Sequence, residues 1–313
     1  MLCERDKNVP WRHHFIPEFY LKRWTANGQL VEFSQPYGKI VKPKRVYPSV
    51  TGFVPGLYHL EGLPPEAHQQ LEPAFFRPVV TQAATILRAM EAGQKGFNTR
   101  ERSAWARFLM SLLLRTPEAL EAAKARLAED ILTTDAASER RYRRHRRPGD
   151  PPTFREYIAE ADSKDAISRE AVETMVLTAD SRKVGEHLIH MQWGSLRLPV
   201  FVPALMTSDR PLLVDNALEH PQCTLLLPIG PKRIFYAVND RALAAQLRLM
   251  RPHALVRRIN EGVVKRAAKY VYAMGDDQLA YVQKNMGTAQ EPTLPERVVA
   301  VRENRAGVKA RRR

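Results

Sequence analysis

The feature that most restricts the fold of this chain is a hydrophobic period that changes twice along its length. Over residues 66–92 the apolar side chains Leu71, Phe75, Phe76, Val79, Val80, Ala83, Ile86, Leu87 and Met90 recur at nearly helical spacing, and Gly93 supplies a stop. Asn98, with Glu101 three residues on, forms a capping signal for a second helix, whose stripe is Trp105, Phe108, Leu109, Leu112 and Leu113. Thr116-Pro117 provides the cap and first-turn proline of a third helix, reaching about residue 132. A short helix is expected over residues 154–161 and a long one over 165–190, with Val172, Met175, Val176 and Ala179 on one face.

Either side of this block the period falls to two. Asn27-Gly28 marks a turn, residues 29–33 a strand, residues 35–38 the next turn and residues 39–46 the partner strand, with an irregular edge over 50–60. After residue 191 come short apolar or alternating runs at 192–197, 200–206, 212–215, 224–227 and 233–238, cut by Pro, Gly and Asn, as in an antiparallel meander. Helices over 241–250 and 252–269 follow. The pattern predicts an α+β fold: one domain over residues 12–274, with an antiparallel sheet from N- and C-terminal strands and a central helical block. Its parts are a histidine motif and hairpin (12–62), helices (64–135), a basic loop (139–152), further helices (153–191), and a β-meander with helices (192–274). A basic, disordered tail is expected over 288–313.

The net charge of +15 is concentrated in two places. Residues 139–147 (ERRYRRHRR) hold Arg140, Arg141, Arg143, Arg144, Arg146 and Arg147 against one glutamate, and residues 302–313 hold six cations, Arg311, Arg312 and Arg313 among them, against one glutamate. Each run carries +5, so +5 remains for the rest of the chain. Two explanations stand: solvated segments, or arms that neutralise phosphates of a nucleic acid without reading bases. With only Cys3 and Cys223, neither a disulfide framework nor a zinc-finger spacing is present, which suits a reducing compartment. The first residues lack the order of a signal peptide and no run of about eighteen apolar residues exists, so a cytoplasmic protein with no membrane partner is expected.

The densest chemistry lies in residues 11–24, WRHHFIPEFYLKRW. Pro17 biases the residue before it to extended geometry, so His13 and His14 belong to an extended segment and point to opposite sides, with a short helix from residue 18 to 24. A histidine here either ties the segment to a backbone carbonyl or serves as a general base or metal ligand. Arg115, at the end of a buried helix, either caps carbonyls or faces a ligand. Thr207-Ser208-Asp209-Arg210-Pro211 follows an apolar run; its side chains either hold their own turn or offer a carboxylate that orients an imidazole or binds a metal. Ser208 lacks the surroundings of a nucleophile elbow. His187 and His190 share a helix face at i,i+3 but no zincin order accompanies them.

Taken together, His-His-Phe-Ile-Pro-Glu-Phe-Tyr-Leu at 13–21, Leu-Leu-Arg-Thr-Pro at 113–117, Met-Thr-Ser-Asp-Arg-Pro at 206–211, Leu-Pro-Ile-Gly-Pro at 227–231, Ile-Asn at 259–260 and Ala-Lys-Tyr-Val at 268–271 resemble the bacterial family called domain of unknown function 4238. The resemblance spans about residues 12–274 and implies a mixed α and β protein with no transferable activity. It places the family's recurring positions on His13, His14, Pro17, Tyr20, Leu21, Arg115, Thr207, Ser208, Asp209, Pro211 and Asn260. The arginine-rich insert and tail depart from it.

Three functional expectations follow. One is a hydrolase, phosphodiester-cleaving by preference, in which His13 or His14 is a general base, Asp209 orients it or holds a divalent metal, and Arg115 stabilises an anionic transition state. In it Tyr20, Thr207, Ser208 and Asn260 contact substrate. His14-Phe15-Ile16-Pro17 is also similar to the H-x-x-P opening of HNH nucleases, although the Asn and His of the following helix are missing. Another is a non-catalytic protein that binds nucleic acid through the arginine run and tail. The third is that the motifs are structural: the histidine segment locks the N-terminus onto the sheet and the Thr-Ser-Asp turn seals a corner.

Overall fold

The computed structural model describes residues 12–57, 77–132, 136–160 and 163–289. Strand β1 (Arg12–His14) leads through Pro17 into a one-turn helix α1 (Glu18–Leu21) and a 3-10 turn (Lys22–Trp24). The hairpin β2 (Leu30–Tyr37) and β3 (Ile40–Val46) follows, and then β4 (Phe53–Pro55), which returns to pair with β1. Helices α2 (Arg77–Glu91), α3 (Thr99–Leu114), α4 (Pro117–Leu132), α5 (Ala136–His145), α6 (Phe154–Glu160), α7 (Ser163–Ala179) and α8 (Arg182–His190) make the central block. The remainder is β5 (Gln192–Arg197), β6 (Thr207–Ser208), β7 (Leu213–Asp215), β8 (Thr224–Gly230), β9 (Arg233–Val238), α9 (Arg241–Leu249), α10 (Pro252–Lys265), β10 (Val271–Ala273) and α11 (Leu279–Asn285).

Two four-stranded antiparallel sheets result. The meander forms one, in the order β5-β9-β8-β7, and the N-terminal hairpin joins the C-terminal part of the chain in the other, in the order β3-β2-β10-β6. The fold is therefore α+β, and the expected joining of N- and C-terminal strands is present alongside a second, purely C-terminal sheet. Strand β8 reads TLLLPIG and is buried at every position, as a strand covered on both faces must be. Its alternation sends Leu225 and Leu227 to one apolar cluster, with Trp24, Trp105 and Phe108, and Leu226 to another, with Phe33, Ile259 and Val263.

Local signals set several boundaries. Asn98 Oδ1 accepts from the Glu101 N–H at 3.0 Å while Glu101 Oε2 accepts from the Asn98 N–H at 2.8 Å, a complete capping box. Thr116 Oγ1 accepts from the Ala119 N–H at 3.2 Å just ahead of Pro117. Gly93, at φ +91°, ends α2 in the left-handed region. Two arginines finish helices from a distance: Arg102 donates to the carbonyls of Ile189 and Met191, both at 2.7 Å, and Arg233 to those of Met90 and Glu91, both at 3.0 Å.

Several expectations are corrected. Residues 200–206 are not a strand: Pro199 and Pro203 deprive the segment of donors, Val200 and Phe201 are exposed, and the Lys232 ammonium holds the carbonyls of Val200 and Val202. The helix expected over 165–190 is two helices, since Ser181, at ψ 114°, leaves helical geometry; beside the break Asp180 pairs with Arg107 at 2.6 Å. The basic segment 139–152 is not all loop. Its first residues complete α5, held by the Glu139–Arg143 pair at 3.1 Å and by Tyr142, which rests on Phe154 and Tyr157. The helix beginning at Pro252 ends at Lys265, and β2 runs on through Pro36 to Tyr37 by way of an irregularity after Ser34. The start of the helix expected over 66–92, the end of the 12–62 segment and the tail from residue 290, with Arg311, Arg312 and Arg313, lie outside the described residues.

No helix among the described residues is long and apolar enough to cross a membrane.

Candidate functional site

The motif residues gather where the histidine segment crosses the β3-β2-β10-β6 sheet. Tyr20, wholly buried on α1, shares a 2.7 Å hydrogen bond with Thr207 Oγ1 and donates to the Pro228 carbonyl at 2.7 Å. Trp24 donates from its indole nitrogen to the Leu205 carbonyl at 2.7 Å. The aromatic segment thus fastens onto β6 and β8 by polar tips on apolar bodies. Asn260, buried on α10, accepts from the Met206 N–H at 2.9 Å and donates to the Ala204 carbonyl at 3.1 Å and to Gln278 Oε1 at 3.2 Å. Ser208 Oγ accepts from the Arg210 N–H at 3.2 Å, which closes its own turn.

Asp209 faces the backbone of the α10–β10 connection. Its carboxylate accepts from the N–H groups of Ala268 at 2.9 Å, Lys269 at 2.5 Å and Tyr270 at 2.9 Å. Burial pushes this carboxyl up to about 6 despite the three donors that pull it down, and the nearby Glu118 adds to the push. Both carboxylate oxygens are therefore engaged by backbone donors, and the hydrogen bonds of Asp209 do not run to His14.

His13 and His14 diverge as an extended segment requires: His13 is buried and sits opposite Val54, while His14 is half-buried opposite Phe53. The His14 ring packs 5.4 Å from Phe53, and its Nε2 lies 3.7 Å from Glu18 Oε1. That nitrogen is inaccessible to solvent and has no hydrogen-bond partner among the described residues. Burial holds the His14 pKa below its usual value, Glu18 pulls it back up and Arg115 pushes it further down. Arg115, 1% exposed at the end of α3, donates to the backbone carbonyl of His14. The structure brings Arg115 to the histidine segment, then, through the main chain.

A second polar group was not legible as such in the sequence. In sheet register Lys44, Glu32, Tyr272 and Thr207 stand directly opposite one another across four strands, on the face that meets α1. Thr51 donates to Glu32 Oε2 and shares a 3.0 Å hydrogen bond with the buried Tyr272 hydroxyl. Burial raises the Glu32 carboxyl, with Thr51, Lys44 and Lys269 acting in the opposite direction, and it carries the Tyr272 hydroxyl well above the ordinary range. The one available signal was Glu32 falling in phase with Leu30, the opposite phase from the core residues Val31 and Phe33.

His187 and His190 do not converge. His187 Nε2 meets Asn239 Oδ1 at 3.1 Å and His190 Nδ1 meets the Glu186 carbonyl at 2.6 Å. Among the described residues no three His, Cys, Asp or Glu side chains form a metal-holding set, so no ligands are assigned to a divalent metal. Cys223 is a buried free thiol, raised by burial to about 11.

The lowered pKa of His14 has a measurable consequence. On acidification the unfolded chain takes up the proton first, so stability from this group is present above about pH 6.5 and lost as pH falls below it. Unfolding free energies at pH 7.5 and 5.5 should fall more steeply for the native chain than for His14→Gln. Equal slopes in the two proteins would mean that the imidazole is not desolvated.

Fold and site together define a class: an α+β protein whose N-terminal histidine segment is pinned by buried polar bonds onto a sheet shared between both ends of the chain. The chain belongs to the family described as Protein of unknown function (DUF4238), which matches residues 12–277. No curated protein and no solved structure matches it.

Proposed function

We propose that this protein is a hydrolase of anionic esters, phosphodiesters by preference, working by acid–base chemistry at the edge where the histidine segment meets Glu32. The observation that carries the reading is the buried Nε2 of His14, without a hydrogen-bond partner among the described residues, on an imidazole whose pKa burial lowers towards the neutral state a general base needs. Glu32, with its raised pKa, is the matching acid. Ser49, beside the His14 ring, and Thr51, bonded to Glu32, belong to one short stretch of chain that links the two groups. In the reaction His14, whose Nε2 is closed to bulk solvent in the free protein, takes a proton from a water that enters with the substrate. The hydroxide oxygen bonds to phosphorus, the phosphorus–alkoxide bond breaks, and the departing alkoxide takes the proton of Glu32. Lys44 and Lys269, which act on Glu32, give the edge the charge an anionic substrate requires. Arg115 positions His14 in this scheme, whereas Tyr20, Thr207, Ser208, Asp209 and Asn260 hold the framework and His13 lies on the buried side of its strand.

A second reading rests on a separate observation: Arg140, Arg141, Arg143, Arg144, Arg146 and Arg147 are all exposed, on α5 and just after it. They would bind nucleic-acid phosphates without catalysis, and that binding would weaken steeply with salt.

One experiment separates the readings. The purified chain is incubated with bis-p-nitrophenyl phosphate and with labelled single- and double-stranded DNA and RNA, beside His14→Ala and Glu32→Gln variants shown to be folded. Acid–base catalysis predicts that each variant loses about 10²–10⁴-fold in rate. Absence of cleavage with salt-sensitive retention of DNA or RNA favours the arginine helix. Absence of both, with lowered melting temperatures in the variants, leaves the motifs structural.

A further inference from the structure

On the far side of the second sheet, helix α10 and strand β7 leave a cleft of about 430 Å³. Its floor is apolar, from Leu213 and Leu226 on the strands and Ala254 and Gly262 on the helix, and its rim carries Arg257, Arg258 and Arg266. The close approach of helix and strand depends on Gly262, where an added Cβ would stand 2.6 Å from Leu213 Cδ1. A glycine inside a helix costs about 1 kcal/mol relative to alanine, so the approach is maintained against local preference.

The charges on the rim are not evenly matched. The acids of the cleft are already engaged: Asp215 holds Arg258 at 2.7 Å and Arg266 at 3.8 Å, and Glu261 holds Lys265 at 2.5 Å. Arg257 is exposed, and no ion pair within 4.0 Å joins it to another described residue. Arg258 commits only part of its five-donor fork to Asp215, which at the same time fixes the direction of that fork. A fixed guanidinium beside an exposed one whose nearest acid, Glu261, is already held by Lys265, above a floor of leucines, matches a ligand with a charged head and an apolar body. The volume falls in the usual range of small-molecule sites, about 300–1,000 Å³.

We propose that this cleft binds an amphipathic anion, its carboxylate or phosphate head at Arg257 and Arg258 and its apolar body over Leu213, Leu226 and Ala254. The proposal is independent of the hydrolase reading, since it uses none of that site's residues. The head takes donors of Arg257 and Arg258, and the body covers the little apolar surface that the cleft leaves open beside Ala254, so neither half of such a ligand should suffice alone.

The test is titration calorimetry on the full chain with decanoate, decyl phosphate, decanol and inorganic phosphate. Decanoate or decyl phosphate should bind saturably, at least about tenfold more tightly than either decanol or inorganic phosphate, the loss expected when one charge-assisted hydrogen bond or the apolar body is missing. Whichever of the two anions binds better identifies the head. Arg257→Gln and Arg258→Gln, both at exposed positions, should each weaken binding by about tenfold with the melting temperature little changed. Ala254→Phe, which fills the floor, should abolish it. Decanol binding as tightly as the anions, indifference to both arginine substitutions, or no saturable binding of either anion would overturn the proposal.

Discussion

Asp209→Ala is expected to lower the unfolding free energy by about 3 kcal/mol, because three backbone donors lose a charged acceptor at once. The donors belong to Ala268, Lys269 and Tyr270, which lead from α10 into β10, and β10 is the strand that lies between β2 and β6. Loss of the carboxylate therefore frees the connection that joins the two ends of the chain in one sheet. The expected effect is set below the sum of three charge-assisted bonds because Ala268 and Lys269 are exposed enough for water to replace part of what is lost. For a domain of this size the melting temperature should fall by roughly 6–12 °C. Asp209→Asn keeps one acceptor oxygen and turns an amide N–H₂ towards a remaining donor, so it should recover only part of the loss. Calorimetry and urea denaturation of the three proteins check this; a change below about 1 kcal/mol for Asp209→Ala would mean that the clamp does not hold the sheet together.

Arg115→Ala should have an effect of similar size, about 3–4 kcal/mol, for a different reason. The side chain is 1% exposed, so its removal leaves a cavity as well as a His14 carbonyl without its guanidinium donor. Arg115→Lys should restore less than half of the loss, since an ammonium on a flexible stem does not reproduce the planar fork. A second measurement separates positioning of His14 from plain structural support. Arg115 depresses the His14 pKa through its charge, so NMR titration of the imidazole should show it rising in Arg115→Ala and rising less in Arg115→Lys, which keeps a cation. Unchanged stability together with an unchanged His14 titration would remove Arg115 from the histidine segment and return it to the role of a ligand-facing cation.

These two residues show how a motif is legible while its partner is not. Asp209 stood out as a carboxylate in a Thr-Ser-Asp turn, and the expectations were that the turn held its own backbone or that the carboxylate oriented an imidazole or bound a metal. Its actual partners are three main-chain N–H groups about sixty residues further on, which carry no mark in the sequence because every residue except proline has one. Tyr20 and Thr207 were both candidates for substrate contact and they meet each other, across 187 residues. Glu32 was passed over, since a charged residue in a strand ordinarily faces water; only Thr51 and Tyr272 arriving from other elements make it a half-buried, hydrogen-bonded acid.

What the sequence determined by itself is whatever neighbours along the chain can decide. The capping box at Asn98 and Glu101, the Thr116-Pro117 start of α4, the stop at Gly93 and the strand runs of β5, β8 and β9 all rest on contacts within a few residues, and period and cap are enough to reveal them. The tertiary structure decided the rest. It turned residues 200–206 from a strand into a loop that buries Val202, Leu205 and Met206 and leaves Val200 and Phe201 exposed, set Asp180 against Arg107 at the break between two helices, and gave Tyr142, in the first part of the arginine run, a bed on Phe154 and Tyr157. It also drew β10 between β2 and β6, and so aligned Lys44, Glu32, Tyr272 and Thr207 in one row. Period and capping are properties of the local backbone, whereas register and burial depend on which distant surfaces come together.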